Sequence, residues 1–401
     1  MMTEHRLLKE ADLPLEVVIL LVAGMTMLIT GVLLFPVSTG ALPYYEDGLY
    51  GLLLVIFALQ TITLGRTPFG DLPRSRLLLA GGSAIAAAGI VTCFVPELFG
   101  QAPRILLFLC FGPGGLLLLL QMFLDKEKLR SWSRYGGVFR HLILACSLVY
   151  VLSMVIALLL WRAPTPSVPM TATVVLAYGA AIVYLAAVLK TLYRMYPEAQ
   201  TPHRDDAELT TDQTMLLLMG IFMLLLGVLL VPVTFGALPF SGSAQLGLLM
   251  VIFAIQMLAS GSTPLGSYRR SWLMILFGLL FAALGIVSCI IPDILVLPLT
   301  VLVGVLNILS GVITLVKVGA PFLKKAAVPR PPVPAVLVRL LAAQTAMGLL
   351  AIIFGTSMLV SKLITGSVIG VILAANGCVL LYLLHILVTL DRQQSETSTP
   401  T

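Results

Sequence analysis

The sequence predicts an all-α polytopic membrane protein. Twelve transmembrane helices are expected, as two parallel six-helix repeats related by a pseudo-two-fold axis along the membrane normal. Three observations predict this. Of the 401 residues, 59% are hydrophobic and only 10% charged, with a mean hydropathy of +1.07, whereas soluble globular chains carry about 25% charged residues. Several apolar runs exceed the roughly 18 residues that mark a helix able to cross a bilayer. They are continuous rather than alternating, and because lipid admits only helices or closed barrels, they are helices. Finally, GVLLFPVSTGALP at 31–43 returns as GVLLVPVTFGALP at 227–239, an offset of 196 residues.

The elements follow in order. The opening MMTEHRLLKEADLPLE mixes acids and bases and precedes a full-length apolar run. No small-residue cleavage site follows a short apolar core, so a retained first helix is expected over Leu15–Phe35. The other first-half spans fall at 48–65, 76–96, 104–124, 138–161 and 170–192. The second-half spans fall at 214–231, 244–261, 272–291, 295–316, 335–360 and 366–389. The organisation predicted is a first repeat over 1–196, a second over 197–392 and a cytoplasmic tail over 393–401.

Loop charge orients the spans. With the N-terminus inside, 21 of the 24 Lys and Arg residues fall on inner segments, and Arg104, Arg162 and Lys362 remain outside. Short loops rich in Lys and Arg stay cytoplasmic, so both termini are expected in the cytoplasm, as in a multi-pass protein of a bacterial inner membrane. The net charge of +6 then answers to anionic lipid on the inner face. No basic–aromatic cluster of the kind that binds nucleic acid is present. A protein partner stays open. The Pro-rich basic stretch GAPFLKKAAVPRPPVPA (319–335) reads as a semi-rigid linker lying on that lipid surface, or as a docking strip for a partner.

The duplication is not confined to one turn. From Gly31 to Pro96 the offset needs no gap, and half of the positions are identical. Gln60 meets Gln256, GRTPFG (65–70) meets GSTPLG (261–266), and GIVTCFVPE (89–97) meets GIVSCIIPD (285–293). An even number of spans per copy gives both copies one orientation, a parallel repeat. Within each copy an odd helix ends in Gly, apolar residues and an outward turn, and the next carries a small residue or an amide. This reads as three successive hairpins, which fits the fifth and sixth helices poorly. Glycines let helix backbones approach in lipid.

This pattern, best seen in LFGLLFAALGIVSCIIPDILVLPLTVLVGVLNILSGVITLVK (276–317) and in GGSAIAAAGIVTCFVPELFG (81–100), resembles the HdeD-type acid-resistance membrane proteins. Those are single six-helix proteins, whereas this chain is doubled. The resemblance implies a small non-enzymatic inner-membrane protein linked to stress or acid. It supplies neither a mechanism nor a set of functional residues.

The chain shows no phosphate loop and no His-Glu-x-x-His pair. His5, His141, His203 and His385 are scattered. Cys93, Cys110, Cys146, Cys289 and Cys378 all fall within spans without a CxxC, and buried cysteine is by default a small apolar residue. No cofactor, metal or catalytic residue is expected. The eighteen acids fit loops or span ends, with Glu16 at the interface. A proton-coupled carrier would hold a carboxylate near the midplane.

Four amides, Gln60, Gln256, Asn307 and Asn376, could line a polar path or form interhelical hydrogen bonds. The turns 36–43 and 232–239 read as structural caps or as a ligand or partner surface. The GRTPFG and GSTPLG segments read as helix stops followed by Pro-Gly turns. Glu46, Asp47, Glu97 and Asp293 are the acids placed outside, and they form a candidate acid-sensing group because free carboxylates titrate near pH 4. Two functions follow: a stress-related scaffold or subunit of a membrane assembly, or a transporter or channel for a small neutral or lipidic solute along the interface of the repeats. A dry, Gly-packed seam would favour the first and a polar cleft the second.

Overall fold

The computed structural model describes residues 13–71, 75–124, 137–161, 168–196, 209–263, 266–267, 270–323, 335–360 and 365–398. The first half comprises α1 (Leu15–Ser38), α2 (Glu46–Leu64), α3 (Arg76–Phe94), α4 (Ala102–Phe111), α5 (Pro113–Leu124), α6 (Val138–Trp161) and α7 (Val168–Met195). The second comprises α8 (Thr211–Thr234), α9 (Gly242–Ser260), α10 (Trp272–Ile290), α11 (Val296–Leu323), α12 (Ala335–Leu359) and α13 (Gly366–Ser398). Among the described residues, twelve segments are long and apolar enough to span a membrane, α4 and α5 together making one. The protein is an all-α polytopic membrane protein.

Local chemistry explains the boundaries. Side chains of Ser75, Ser241 and Ser271 accept the backbone N–H groups of Leu78, Ala244 and Met274 and so cap α3, α9 and α10. Thr210 and Gln213 form a reciprocal capping box on α8. Gly65 and Gly261 end α2 and α9 in the left-handed conformation, φ 65° and 70°. The GRTPFG and GSTPLG turns hold two-residue antiparallel ladders rather than loops alone: β1 (Arg66–Thr67) pairs β2 (Gly70–Asp71), and β3 (Ser262–Thr263) pairs β4 (Gly266–Ser267). In each, the threonine hydroxyl closes the turn on the glycine carbonyl, at 2.7 Å in the first and 2.8 Å in the second. Helices α1 and α8 run past Pro36 and Pro232 to Ser38 and Thr234. The expected ends at 35 and 231 were short because proline was read as the stop. Span four breaks at Gly112, ahead of Pro113, whose missing N–H and ring interrupt the helix.

By packing, the chain divides into two units. One comprises Met1–Glu208, Ser241–Gly261 and Arg269–Leu295, and the other Leu209–Phe240, Ser262–Tyr268 and Val296–Thr401. The first unit therefore holds α1–α7 with α9 and α10, so packing does not divide the chain at the sequence offset. The hairpin reading is corrected. In the first unit α1 lies chiefly against α7, α2 against α3, and α6 against α4, α5 and α7. In the second, α8 lies against α13 and α11 against α12.

Glycine backbones make these pairings. A Cβ on Gly51 would sit 2.4 Å from the Gly89 carbonyl oxygen, and one on Gly247 2.5 Å from that of Gly285. The same holds between Gly227 and Gly370, and between Gly311 and Gly348, each at 2.5 Å. Such approach lets dispersion and Cα–H contacts replace the hydrophobic drive that lipid does not supply.

Within the first unit, α9 and α10 pack on α2 and α3 through exchanged contacts. Tyr45 N–H donates to Ile290 O and Ser241 N–H to Phe94 O, both at 2.9 Å. Each donor and each acceptor is displaced from its counterpart by 196 residues. The seam is closed to solvent: Cys93, Phe94, Ala244, Cys289 and Ile290 are fully buried there.

Candidate functional site

A half-open cavity of about 1010 Å³ lies in the first unit, walled by α1, α2, α4, α5, α6, α7 and the turn at Thr67–Pro68. Each wall has a local cause. On α1 the small Ala23 lines the space, and on α5 Gly115 lets the backbone close on α6, where an added Cβ would meet the Ser153 hydroxyl oxygen at 2.3 Å. The Gly112 break turns α5 away from α4 and brings Phe111 and Gly115 to the same lumen. From Glu16 to Met27 the wall rises about 16 Å at 1.5 Å per residue, roughly half of a 30 Å hydrocarbon core.

The lumen is polar at one end. Glu16 begins α1, Gln60 and Thr67 close α2 and its turn, Gln121 ends α5, and Tyr193 ends α7. Helix direction brings all five to the side on which α1 starts. Glu16 is only 6% exposed, and the Tyr193 hydroxyl donates a short hydrogen bond to its carboxylate. At the start of α1, where the sequence reading sets Glu16 at the interface, the carboxylate is turned inward, into the bundle. At mid-depth the lumen meets aromatic rings. Phe57 and Phe111 stack edge-to-face at 5.4 Å between centroids, and Phe111 and Tyr178 at 5.9 Å. Ser153, beside them, donates to the Phe111 carbonyl at 3.1 Å and the Tyr150 carbonyl at 2.8 Å. The remaining wall is aliphatic, with Leu20, Leu53, Ile182 and Leu185 among its residues. Such a space holds an apolar body and offers hydrogen bonds to a polar group at one end.

Of the four amides singled out in the sequence, Gln60 lines this cavity and Gln256, Asn307 and Asn376 do not. Asn307 spends its amide on its own helix, Nδ2 donating to Val303 O at 2.8 Å. Asn376 is buried on α13, and its Oδ1 has no hydrogen-bond partner. Sequence reasoning missed Glu16, Gln121, Tyr178 and Tyr193. The available signal was an acid one residue inside an otherwise apolar helix, with tyrosines on α7.

Of the four outer acids singled out in the sequence, Asp47 and Glu97 are brought together. Asp47 accepts the Glu97 backbone N–H at 2.8 Å, and Tyr50 donates to Glu46 at 2.5 Å. Asp293 is exposed in the equivalent turn of the second copy, where Ser243 stands at the position matching Asp47. Nearby, the Tyr45 hydroxyl donates to Cys93 O at 3.2 Å. Burial pushes that phenol above the ordinary tyrosine value, with Cys93 and Asp47 adding to the shift, so it stays a neutral donor. The turns at Gly40 and Gly236 are helix caps of one geometry: Ala41 N–H to Pro36 O and Ala237 N–H to Pro232 O, both 3.0 Å.

No protein-family model, no curated protein and no solved structure matches the chain. The functional reading therefore rests on the molecule's own geometry.

Proposed function

We propose that the protein binds an apolar or amphiphilic solute within the membrane, for transport or sequestration, and that the cavity of the first bundle is its binding site. The carrying observation is the cavity itself: about 1010 Å³, aliphatic and aromatic through its depth, with Glu16, Gln60, Gln121 and Tyr193 gathered at one end. The surrounding frame on this reading is two parallel repeats in a bacterial inner membrane with cytoplasmic termini, which places the polar end of the cavity on the cytoplasmic side. The expected path between the repeats gives way to one inside the first. The closed seam of α2, α3, α9 and α10 supports a joining role for that surface.

The test is photolabelling in nanodiscs with a fatty acid that carries an alkyl diazirine. Label is expected on peptides of α1, α5 and α7 that face the cavity. Filling it with Leu20→Trp plus Ala23→Trp should lower that labelling about tenfold, equivalent to ~1.4 kcal/mol of binding, without changing the elution volume. Labelling spread evenly over lipid-facing helices, unchanged in the filled variant, would defeat the proposal.

A second reading, an acid- or stress-related scaffold of the kind the HdeD-type resemblance implies, is favoured by the Asp47–Glu97 contact. A carboxylate acceptor makes a charge-assisted bond, which here ties the start of α2 to the turn after α3. Accessibility labelling of the 36–47 and 97–103 loops should then rise between pH 7 and about pH 4, and Asp47→Ala should show the raised level already at pH 7. Equal labelling at both pH values in the wild type would remove this reading.

A further inference from the structure

Two of the five cysteines converge on one backbone carbonyl. Cys93, in the last turn of α3, and Cys289, in the last turn of α10, are both fully buried. Their sulfurs point at one acceptor, the Ala244 carbonyl oxygen, at 3.8 Å and 3.6 Å. Cys93 also reaches the Gly48 carbonyl at 3.8 Å, and the two sulfurs approach the same stretch of backbone at the start of α9 from α3 and from α10. The backbones carrying them are held from both sides. The residue after Cys93 accepts from Ser241, and the residue after Cys289 accepts from Tyr45. The approach is so close that a Cβ on Gly48 would fall 2.0 Å from the Cys289 carbonyl oxygen. Next to the pair, Ser243 and Ser288 form a hydroxyl contact of 3.2 Å, so polar hydrogens in this seam are paired locally.

We propose that Cys93 and Cys289 form a dithiol that closes to a disulfide when a peroxide reaches it, covalently joining α3 to α10. The step balances with hydrogen peroxide. One sulfur, after losing its proton, attacks a peroxide oxygen; the O–O bond breaks and the released hydroxide becomes water, leaving a sulfenic acid. The second sulfur displaces the sulfenic oxygen, the S–S bond forms, and a second water leaves. Two electrons and two protons pass from the thiols to the oxidant. The site suits this product better than a thiolate-bound metal ion. Thiol pair and disulfide are both uncharged, and a buried seam disfavours any end state that leaves net charge in it. The bond would fix the seam between two segments 196 residues apart in sequence, in the one place where they exchange backbone hydrogen bonds.

The experiment uses the full chain in detergent micelles, treated with hydrogen peroxide, then denatured and alkylated with N-ethylmaleimide. The wild type should fall from five alkylated cysteines to three, and the Cys110→Ser, Cys146→Ser, Cys378→Ser variant from two to none. The unalkylated species should be about 2 Da lighter than the reduced chain, yield a peptide linking 93 to 289, and recover all thiols with dithiothreitol. Cys93→Ser or Cys289→Ser should abolish the linked peptide. Five reactive thiols after peroxide, stepwise sulfinic acid formation without a link, or a link between Cys110 and Cys146 would each overturn the proposal.

Discussion

Glu97 and Asp293 sit at φ 62° and 69°, and they are the two non-glycine residues with positive φ among those described. The sequence showed them only as matching acids after a proline. Their equivalence extends to the backbone: each reverses the chain after a helix that ends at Val95 or Ile291 in extended conformation. A side chain in this region costs about 1–2 kcal/mol, part of which glycine returns as unfolded-state entropy. Glu97→Gly and Asp293→Gly are therefore expected to stabilise the protein by about 1 kcal/mol each, seen as a raised melting temperature in detergent. A lowered one would mean that the carboxylates contribute more than the backbone costs. Glu16 carries the opposite lesson. Its residue type and position were visible, but its inward direction was not. An acid one residue into a helix can face lipid headgroups or the bundle, and only the neighbour at Tyr193, 177 residues away, distinguishes the two.

At the scale of elements, all twelve spans were legible, because twenty apolar residues in a row have one stable fate in lipid. Partners were not. Composition places a helix in the membrane without saying against what it lies. The information was nevertheless present in glycine spacing. Gly24 and Gly31, Gly82 and Gly89, Gly220 and Gly227, Gly278 and Gly285, Gly304 and Gly311, Gly348 and Gly355, and Gly370 and Gly377 each stand seven apart. Seven residues is two turns, so each couple marks one face. The couples on α1, α3, α8, α10, α11, α12 and α13 lie on helix-pairing faces. A paired test follows from geometry. Gly89→Leu places a Cβ 2.8 Å from the Gly51 carbonyl and 2.9 Å from Leu54, and backbone cannot yield as a side-chain tip can. Overpacking of this kind costs about 1–3 kcal/mol or more, so loss of the monodisperse protein peak is expected. Gly81, on the same helix, has nothing within 4 Å of an added Cβ. Gly81→Ala should be neutral or stabilise by up to about 1 kcal/mol through helix propensity. Equal behaviour of the two variants would mean that α2 and α3 are not held by glycine contact.

For the whole molecule, the parallel-repeat reading makes a demand that an inverted one contradicts. The caps at Gly40 and Gly236 share left-handed glycines at φ 73° and 71° and the same bond back to proline. The ladders at Thr67–Gly70 and Thr263–Gly266 share register and hydroxyl closure. Six spans separate each feature from its counterpart. An even number returns the chain to the same face, so both caps should lie on one side and both ladders on the other. The expected direction comes from loop charge: with the N-terminus inside, 21 of the 24 basic residues fall on inner segments, the side that would then bear the ladders. Single cysteines at Gly40, Gly236, Phe69 and Leu265, introduced with the five native cysteines replaced by serine or alanine, give the measurement. A membrane-impermeant maleimide added to intact cells should label positions 40 and 236 and leave 69 and 265 unlabelled until the membrane is opened. Labelling of 40 without 236 would require an odd number of crossings between the copies, and the parallel arrangement would fall. Labelling of 69 and 265 in place of the caps would keep the arrangement and reverse its direction, moving the polar end of the cavity, with Glu16 and Tyr193, to the outside face.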